Sequence, residues 1–211
     1  MSEEVTQKLR ADAQENRDRI VEAARALFSE RGLEASMREV ARAAGVGPAT
    51  LYRRFPTKQA LIDGVFADEL RACRQIVVDG CADPDPWRGF AWVIEHLTVL
   101  NAQNKGFVDA FMWANPEAPV FARHRASLLR ELEKLAARAK RAGRLRHDFV
   151  LDDFVLILQA GRGLSATRPA DRTLAARRFA ALALDSLRES ETNGALPRKP
   201  SLVAEAIRVP R

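Results

Sequence analysis

Cysteine is scarce: the 211-residue chain holds two, Cys73 and Cys81. Both fall in or near one helical pattern, too far apart to bridge. No disulfide framework is available, and both read as reduced structural thiols, the expectation for a cytoplasmic protein. Histidine is scarce too. The three, His96, His124 and His147, show no metal-ligand spacing and lie away from the cysteines in sequence. There is no G-x-S-x-G, no H-E-x-x-H, no phosphate-cradling glycine loop and no C-x-x-C. An enzyme, a metal and a cofactor are therefore not expected. No apolar run approaches the roughly 18 residues of a membrane span, and the polar N-terminus lacks a signal core. Alternating Val/Ile/Thr runs of strand type are missing as well.

What remains is helix-forming. Ala, Leu, Arg and Glu dominate, and 47% of residues are hydrophobic, enough for a real core. An all-α fold is expected. Lys and Arg total 34 against 28 Asp and Glu, a net charge of +6. That balance favours an anionic partner, nucleic acid or membrane.

Residues 36 to 58 organise the rest. Ser36 and Glu39 have capping-box spacing, in which each side chain satisfies an amide at a helix start. Met37, Val40, Ala41 and Ala44 then form one helical face. Gly45 ends this helix, where positive φ is commonly needed. Gly47-Pro48 restarts the chain with proline at the first helical position. Leu51 and Phe55 point inward, leaving Ala49, Thr50, Tyr52, Arg53 and Arg54 free. Pro56-Thr57 closes the second helix, and Thr57 is placed to cap the next. The segment carries five cations (Arg38, Arg42, Arg53, Arg54, Lys58) and one anion, Glu39. A two-turn helix with small and polar residues outward suits the DNA major groove.

This segment, with the preceding helix, resembles the DNA-binding domain of the tetracycline-repressor (TetR) family. The residues that carry the resemblance are 20 to 32, Val40-Ala41, Ala44-Gly45-Val46, Thr50-Leu51-Tyr52, Phe55, Lys58, Ala60 and Leu61. The resemblance implies that residues 48 to 54 are the recognition helix. It implies that Thr50, Tyr52, Arg54 and Lys58 contact the DNA backbone. Arg38 lies where a base edge is in reach, Arg53 suits base or phosphate, and Ala49 touches a thymine methyl at most. The alternative is that these charges form only a solvated face.

Four regions are expected. Residues 1–15 form a frayed or weakly helical arm, in which Lys8 and Arg10 either reach a minor groove or stay solvated. Residues 16–62 form a three-helix helix-turn-helix domain. Its first helix, 16 to 31, packs Ile20, Ala23, Ala24, Leu27 and Phe28 inward. Residues 63–189 form a helical effector-binding and dimerisation domain. One long helix from 57 to 79 would join it to the first. Asp83-Pro84-Asp85-Pro86 is the clearest break. Helices are then expected over 87 to 103, about 119 to 141, 154 to 165 and 170 to 189. Residues 190–211, broken by Pro197, Pro200 and Pro210, are expected to be disordered, apart from a short helical turn near 202 to 207.

Trp92, His96, Phe107, Phe111, Met112, Trp113, Phe121, His124, Leu158, Gln159 and Arg162 are candidate lining for a small-molecule pocket, since apolar walls with few polar groups typify such sites. Ordinary core packing is the competing reading of every one. Were Arg162 to face the cavity, an anionic or carbonyl-bearing effector would follow. Ala160, Gly161, Gly163, Ala176, Ala180, Ala181 and Ala183 would let two copies approach closely, and the family resemblance implies a four-helix dimer interface there. A dimer is expected because one domain makes too few base contacts to select an operator. The expected partners are thus a double-stranded DNA operator, a second copy and an unidentified small-molecule effector, with no membrane. A regulator without an effector and a basic helical protein-interaction module remain the alternatives.

Overall fold

The computed structural model describes residues 2–104, 106–107, 110–111, 119–161, 163–164 and 168–203. Among these the secondary structure is helical, with one isolated bridge between Leu145 and Arg188. The helices are α1 (Ser2–Arg31), α2 (Met37–Ala43), α3 (Pro48–Arg54), α4 (Lys58–Val65), α5 (Ala67–Ala82), α6 (Pro86–Gln103), α7 (Pro119–Arg141), α8 (Leu151–Gly161) and α9 (Arg172–Leu187). Residues 106, 107, 110 and 111 are helical as well. The chain divides into two compact units, Met1–Ala67 and Asp68–Arg211.

In the first unit, α1 packs on α2 and α4, and α2 packs on α3. Its core is Ile20, Ala24, Phe28, Val40, Leu51, Leu61, Val65 and Phe66, all nearly inaccessible to solvent. Each large apolar side chain buried this way contributes about 1.5–3 kcal/mol relative to exposure. The short helices α2 and α3 depend on this packing, since a helix under about 12 residues is marginal alone.

One expectation for this region is narrowed and another corrected. Of the two readings of the first residues, frayed or weakly helical, the helical one holds, since α1 runs unbroken from Ser2. Its first half lacks Gly and Pro and is rich in Glu, Gln, Lys and Ala, which sustain helix. The side chains of Lys8 and Arg10 lie outside the described residues. The single helix from 57 to 79 is instead two. Phe66, with φ −103° and ψ 14°, separates α4 from α5. A continuous helix would pair the Val65 carbonyl with the amide of residue 69; here it accepts from the Arg25 guanidinium. Phe66 turns into the core against Phe28, with ring centroids 6.2 Å apart. The unit therefore closes after Ala67, later than the boundary at 62 read from sequence.

The second unit is built around α6, which packs against α7, α8 and α9. It buries Trp87, Phe90, Val93, Ile94, Leu97, Thr98 and Asn101. Asp85 caps α6, its carboxylate accepting from the amides of Trp87 (2.9 Å) and Arg88 (3.1 Å). Phe90 meets Phe149 edge-on at 5.3 Å. Helix α8 starts at Leu151, earlier than expected, and ends at Gly161, while α9 covers slightly less than 170 to 189.

The tail is not free over its described part. Arg146, itself buried, donates to Asp148 through Nε (2.6 Å) and to the Gly194 carbonyl through Nη2 (2.7 Å). Asp148 accepts from the Leu196 amide at 3.1 Å. The buried Asp152 accepts from the Val203 amide at 2.9 Å and pairs with Lys199 at 3.5 Å. Disorder from residue 190 is thus corrected up to 203; Pro210 and the end of the tail lie outside the described residues. Residues 202 and 203 are helical, within the short turn expected there, and the prolines before them leave the other amides able to donate.

Candidate nucleic-acid interface and internal cavity

Local chemistry places α3. Ser36 Oγ accepts from the Glu39 amide (3.3 Å), and the Glu39 carboxylate accepts from the Ser36 amide (2.8 Å). The Ser36 amide and then the Ser36 hydroxyl, both donating to it, hold the Glu39 carboxyl below its ordinary pKa, with Arg31 and Arg42 adding to the effect. Arg31 also pairs with Glu39 at 2.9 Å, tying the end of α1 to α2. At the other end of α2, the Gly45 amide donates to Arg42 (3.2 Å) and the Val46 amide to Ala41 (3.0 Å). That is a Schellman closure, and Gly45 supplies its left-handed residue at φ +64°. Pro48 starts α3, whose inward residues are Leu51 and, just beyond, Phe55. Thr57 Oγ1 accepts from the Ala60 amide at 3.0 Å and so starts α4.

The face left over is cationic. Arg38, Ala49, Tyr52, Arg53 and Arg54 are exposed, Tyr52 to 48%, and Thr50 and Lys58 are half-buried. Among the described residues, no ion pair engages Arg38, Arg53, Arg54 or Lys58. Unpaired cations around a protruding two-turn helix fit the phosphate rails of a duplex.

The second unit encloses a cavity of about 40 Å³. Its wall is hydrocarbon from α5, α6, α7 and α8, with two strongly polar residues, Asn101 and Arg125. Of the pocket candidates read from sequence, Phe111 and Leu158 line it. Phe107 and Phe121 are buried beside it: Phe107 stacks on Phe111 at 5.3 Å, and Phe121 meets the same ring edge-on at 6.3 Å. Gln159 is half-buried on α8, off the wall. Trp92 and His96 are elsewhere. They stack on each other at 3.6 Å, with Trp92 exposed, because the two faces of α6 that meet other helices are filled by neighbouring positions. His124 lies on a groove between α5 and α7, its Nε2 buried without a partner. Burial first, then the Arg74 charge, lowers its pKa, so the ring is neutral near pH 7. Met112, Trp113 and Arg162 lie outside the described residues.

The residues missed on this wall include Cys73, Asn101 and Arg125. Burial pushes the Cys73 thiol up to about 12, with Glu69 adding to the effect. Arg125 was hidden among the cations of α7, yet it is buried, donates to the Phe111 carbonyl and lies 5.8 Å from that ring's centroid. Its signal was position: it falls one turn before Leu128 and Leu129, on the inward side.

Small residues proposed for close approach separate into two groups. Ala160, Gly163 and Ala181 are exposed and Ala183 is half-buried, whereas Gly161, Ala176 and Ala180 are buried within the unit. Ala176 and Ala180 are fully covered and cannot meet a second copy. On these last two helices the large apolar side chains left outward are Leu174 and Leu182 on α9, 71% and 64% exposed, and Leu156 on α8.

Known proteins agree with this architecture. Residues 20–65 match the family of bacterial regulatory proteins, tetR family, and residues 85–189 match the C-terminal domain of SbtR-like transcriptional regulators. The HTH-type transcriptional regulator UidR of Escherichia coli is 39% identical over 62 residues, 29% of this chain and 32% of that protein. The chain thus spans about a third of the length of the curated relatives it matches. The TetR transcription regulatory protein of Mycobacterium vanbaalenii is 32% identical, with 85% of this chain and 99% of that one covered and a TM-score of 0.51. PfmR of Thermus thermophilus, at 21% identity and a TM-score of 0.65, shares the fold over 79% of this chain and 97% of its own. With a helix-turn-helix match at one end, a regulator-type helical match over the other and a 32%-identical relative along most of its length, the chain belongs to the TetR family of DNA-binding transcriptional regulators, which are not enzymes.

Proposed function

We propose that this regulator is a homodimeric, ligand-released repressor that reads a palindromic operator through α3. The observation that carries the reading is the exposed α3 face with unpaired Arg38, Arg53, Arg54 and Lys58 beside it. Arg38 is the candidate for guanine readout through O6 and N7. Thr50, Tyr52, Arg54 and Lys58 take phosphate positions, Arg53 either role, and Ala49 offers a methyl-sized contact. Leu156, Leu174 and Leu182, exposed on the last two helices, support pairing of two copies there. Two half-sites about 34–36 Å apart, or a multiple, would then face the two recognition helices. The cavity in the second unit supports an effector, which acts only through differential affinity for the DNA-bound and released states.

Selection of bound sequences from random duplex DNA with the full-length protein tests this. A palindromic motif is expected. Lys58→Ala should weaken binding to every sequence alike and reduce its salt slope by about one; Arg38→Ala should relax preference at one position of each half-site. Recovery of no motif at moderate salt would remove the reading. Sedimentation showing a monomer at micromolar concentration, or a dimer unchanged by Leu182→Glu, would remove the pairing surface.

A further inference from the structure

The groove between α5 and α7 has a volume of about 640 Å³, within the roughly 300–1,000 Å³ of small-molecule sites. Each helix gives it one straight face. Arg74, Val77, Val78 and Cys81 come from α5 at i, i+3, i+4 and i+7, and α7 adds Arg123, His124, Leu128 and Glu131 at the same kind of spacing. The two helices run side by side in the same direction. Arg74 is close enough to His124 for its charge to act on that ring, and Cys81 Sγ donates to the Glu131 carbonyl at 3.7 Å. The groove therefore has two unlike ends. Arg74 and Arg123 stand at one. Glu131 stands at the other, seven residues and about 10 Å further along α7, where Lys134 pairs with it at 2.8 Å.

The cationic end is open. Arg74 and Arg123 are exposed, and among the described residues neither forms an ion pair. Two guanidiniums present two planar forks. A phosphate, with three free oxygens and two charges, answers both, whereas a carboxylate answers one. The middle of the groove is hydrocarbon. Val78 is 49% exposed there, and Val120, also lining the groove, is 39% exposed. Aliphatic side chains left open in a concave surface are stabilised when an apolar body covers them. Val77 and Leu128 line both the groove and the enclosed cavity, so a body resting on them bears on the core of the unit.

We propose that this groove takes a small phosphate monoester with a hydrocarbon body. Its phosphate accepts from the Arg74 and Arg123 guanidiniums, and its body lies along Val77, Val78 and Leu128 toward Cys81. The paired cations select a dianion over a monoanion or an alcohol of equal length. The inference rests on the reading of the second unit as a sensor and adds the position and chemistry of the ligand to it.

Calorimetric titration of the full-length protein with hexyl phosphate, hexanoate and hexanol is the test, at pH 8, well above the second phosphate pKa of about 6. Hexyl phosphate is expected to bind at least ten-fold more tightly than hexanoate, hexanol or inorganic phosphate, and affinity should rise from ethyl to octyl phosphate. Arg74→Gln and Arg123→Gln should each weaken hexyl phosphate at least ten-fold. Both side chains are exposed, so the helical circular dichroism should be unchanged. Arg130→Gln, exposed on α7 but outside the groove, should leave binding as it is. Hexyl phosphate binding no tighter than hexanoate or inorganic phosphate, or a loss in Arg130→Gln equal to that in Arg74→Gln, overturns the proposal. The same preparation is titrated with its selected duplex: intact DNA binding beside absent hexyl phosphate binding discards the ligand class and leaves the regulator standing.

Discussion

Gly80 and Gly89 face each other across the α5–α6 turn so closely that neither tolerates a side chain. A Cβ on Gly89 would sit 2.1 Å from the Gly80 carbonyl oxygen, and one on Gly80 2.7 Å from the carbonyl oxygen of Gly89. The obstacle is backbone in both directions, so no rotamer change relieves it. Gly89→Ala should destabilise the second unit by about 3 kcal/mol, the upper end of ordinary overpacking. Urea unfolding measures this; a midpoint shift equivalent to less than about 1 kcal/mol would show that the turn can open.

Ser36→Ala should cost about 1 kcal/mol, the usual loss for an N-cap. It removes the hydroxyl that accepts from Glu39 and that donates to its carboxylate at 2.8 Å. Because α2 supports α3, operator affinity should fall with it. Ser36→Asp, which restores an acceptor, should recover most of the stability. Failure of the aspartate to recover any would contradict the capping role.

The cysteines should react in a fixed order. Cys81 is half-buried, and its Sγ donates to the Glu131 carbonyl at 3.7 Å. Cys73 is buried, with its thiol held near 12. The thiolate is the reactive form, so iodoacetamide at pH 7.5 should modify Cys81 slowly and Cys73 only as the second unit unfolds. Timed labelling read by mass spectrometry checks this. Modification of Cys73 in the native protein at the rate of Cys81 would contradict the packing.

Asp148 should keep the tail in place well into acid. The Arg146 guanidinium, then the Leu196 amide, hold its carboxyl well below the usual carboxylate range. A depressed native pKa gives stability that is present above the unfolded value of about 3.9 and is lost as pH falls through the native value. The tail should therefore stay docked at pH 5, and Asp148→Asn should release it at neutral pH. Faster tryptic cleavage after Arg198 in Asp148→Asn is the expected readout. Unchanged cleavage would assign the docking to Asp152 alone.

The helix-turn-helix elements were readable because their signals are local. Ser36 and Glu39 are three residues apart, Gly45 must turn left, and Pro48 can only begin a helix; each acts within its own turn of chain. The break at Phe66 left no such mark. Leu61, Ile62, Val65, Phe66 and Leu70 continue one apolar stripe, and the interruption comes from Arg25, distant in sequence, taking the Val65 carbonyl. The cavity was legible in part for the same reason. Periodicity finds inward positions such as Phe111 and Leu158, but a gap between side chains depends on four helices at once. Arg125 looked like one more surface cation, and Trp92 and His96 looked like core because their composition is aromatic.

The tail contacts also bear on the order of folding. Asp148 with Leu196 and Asp152 with Val203 close loops of 48 and 51 residues, around helices that must already be formed to offer those carboxylates. Loop closure of that length is entropically costly before any contact rewards it. The tail is therefore expected to join after the barrier. Substitutions in it should leave the folding rate almost untouched and express themselves in how fast the second unit comes apart. The end of the chain acts as a latch on lifetime, applied to a body that has already assembled without it.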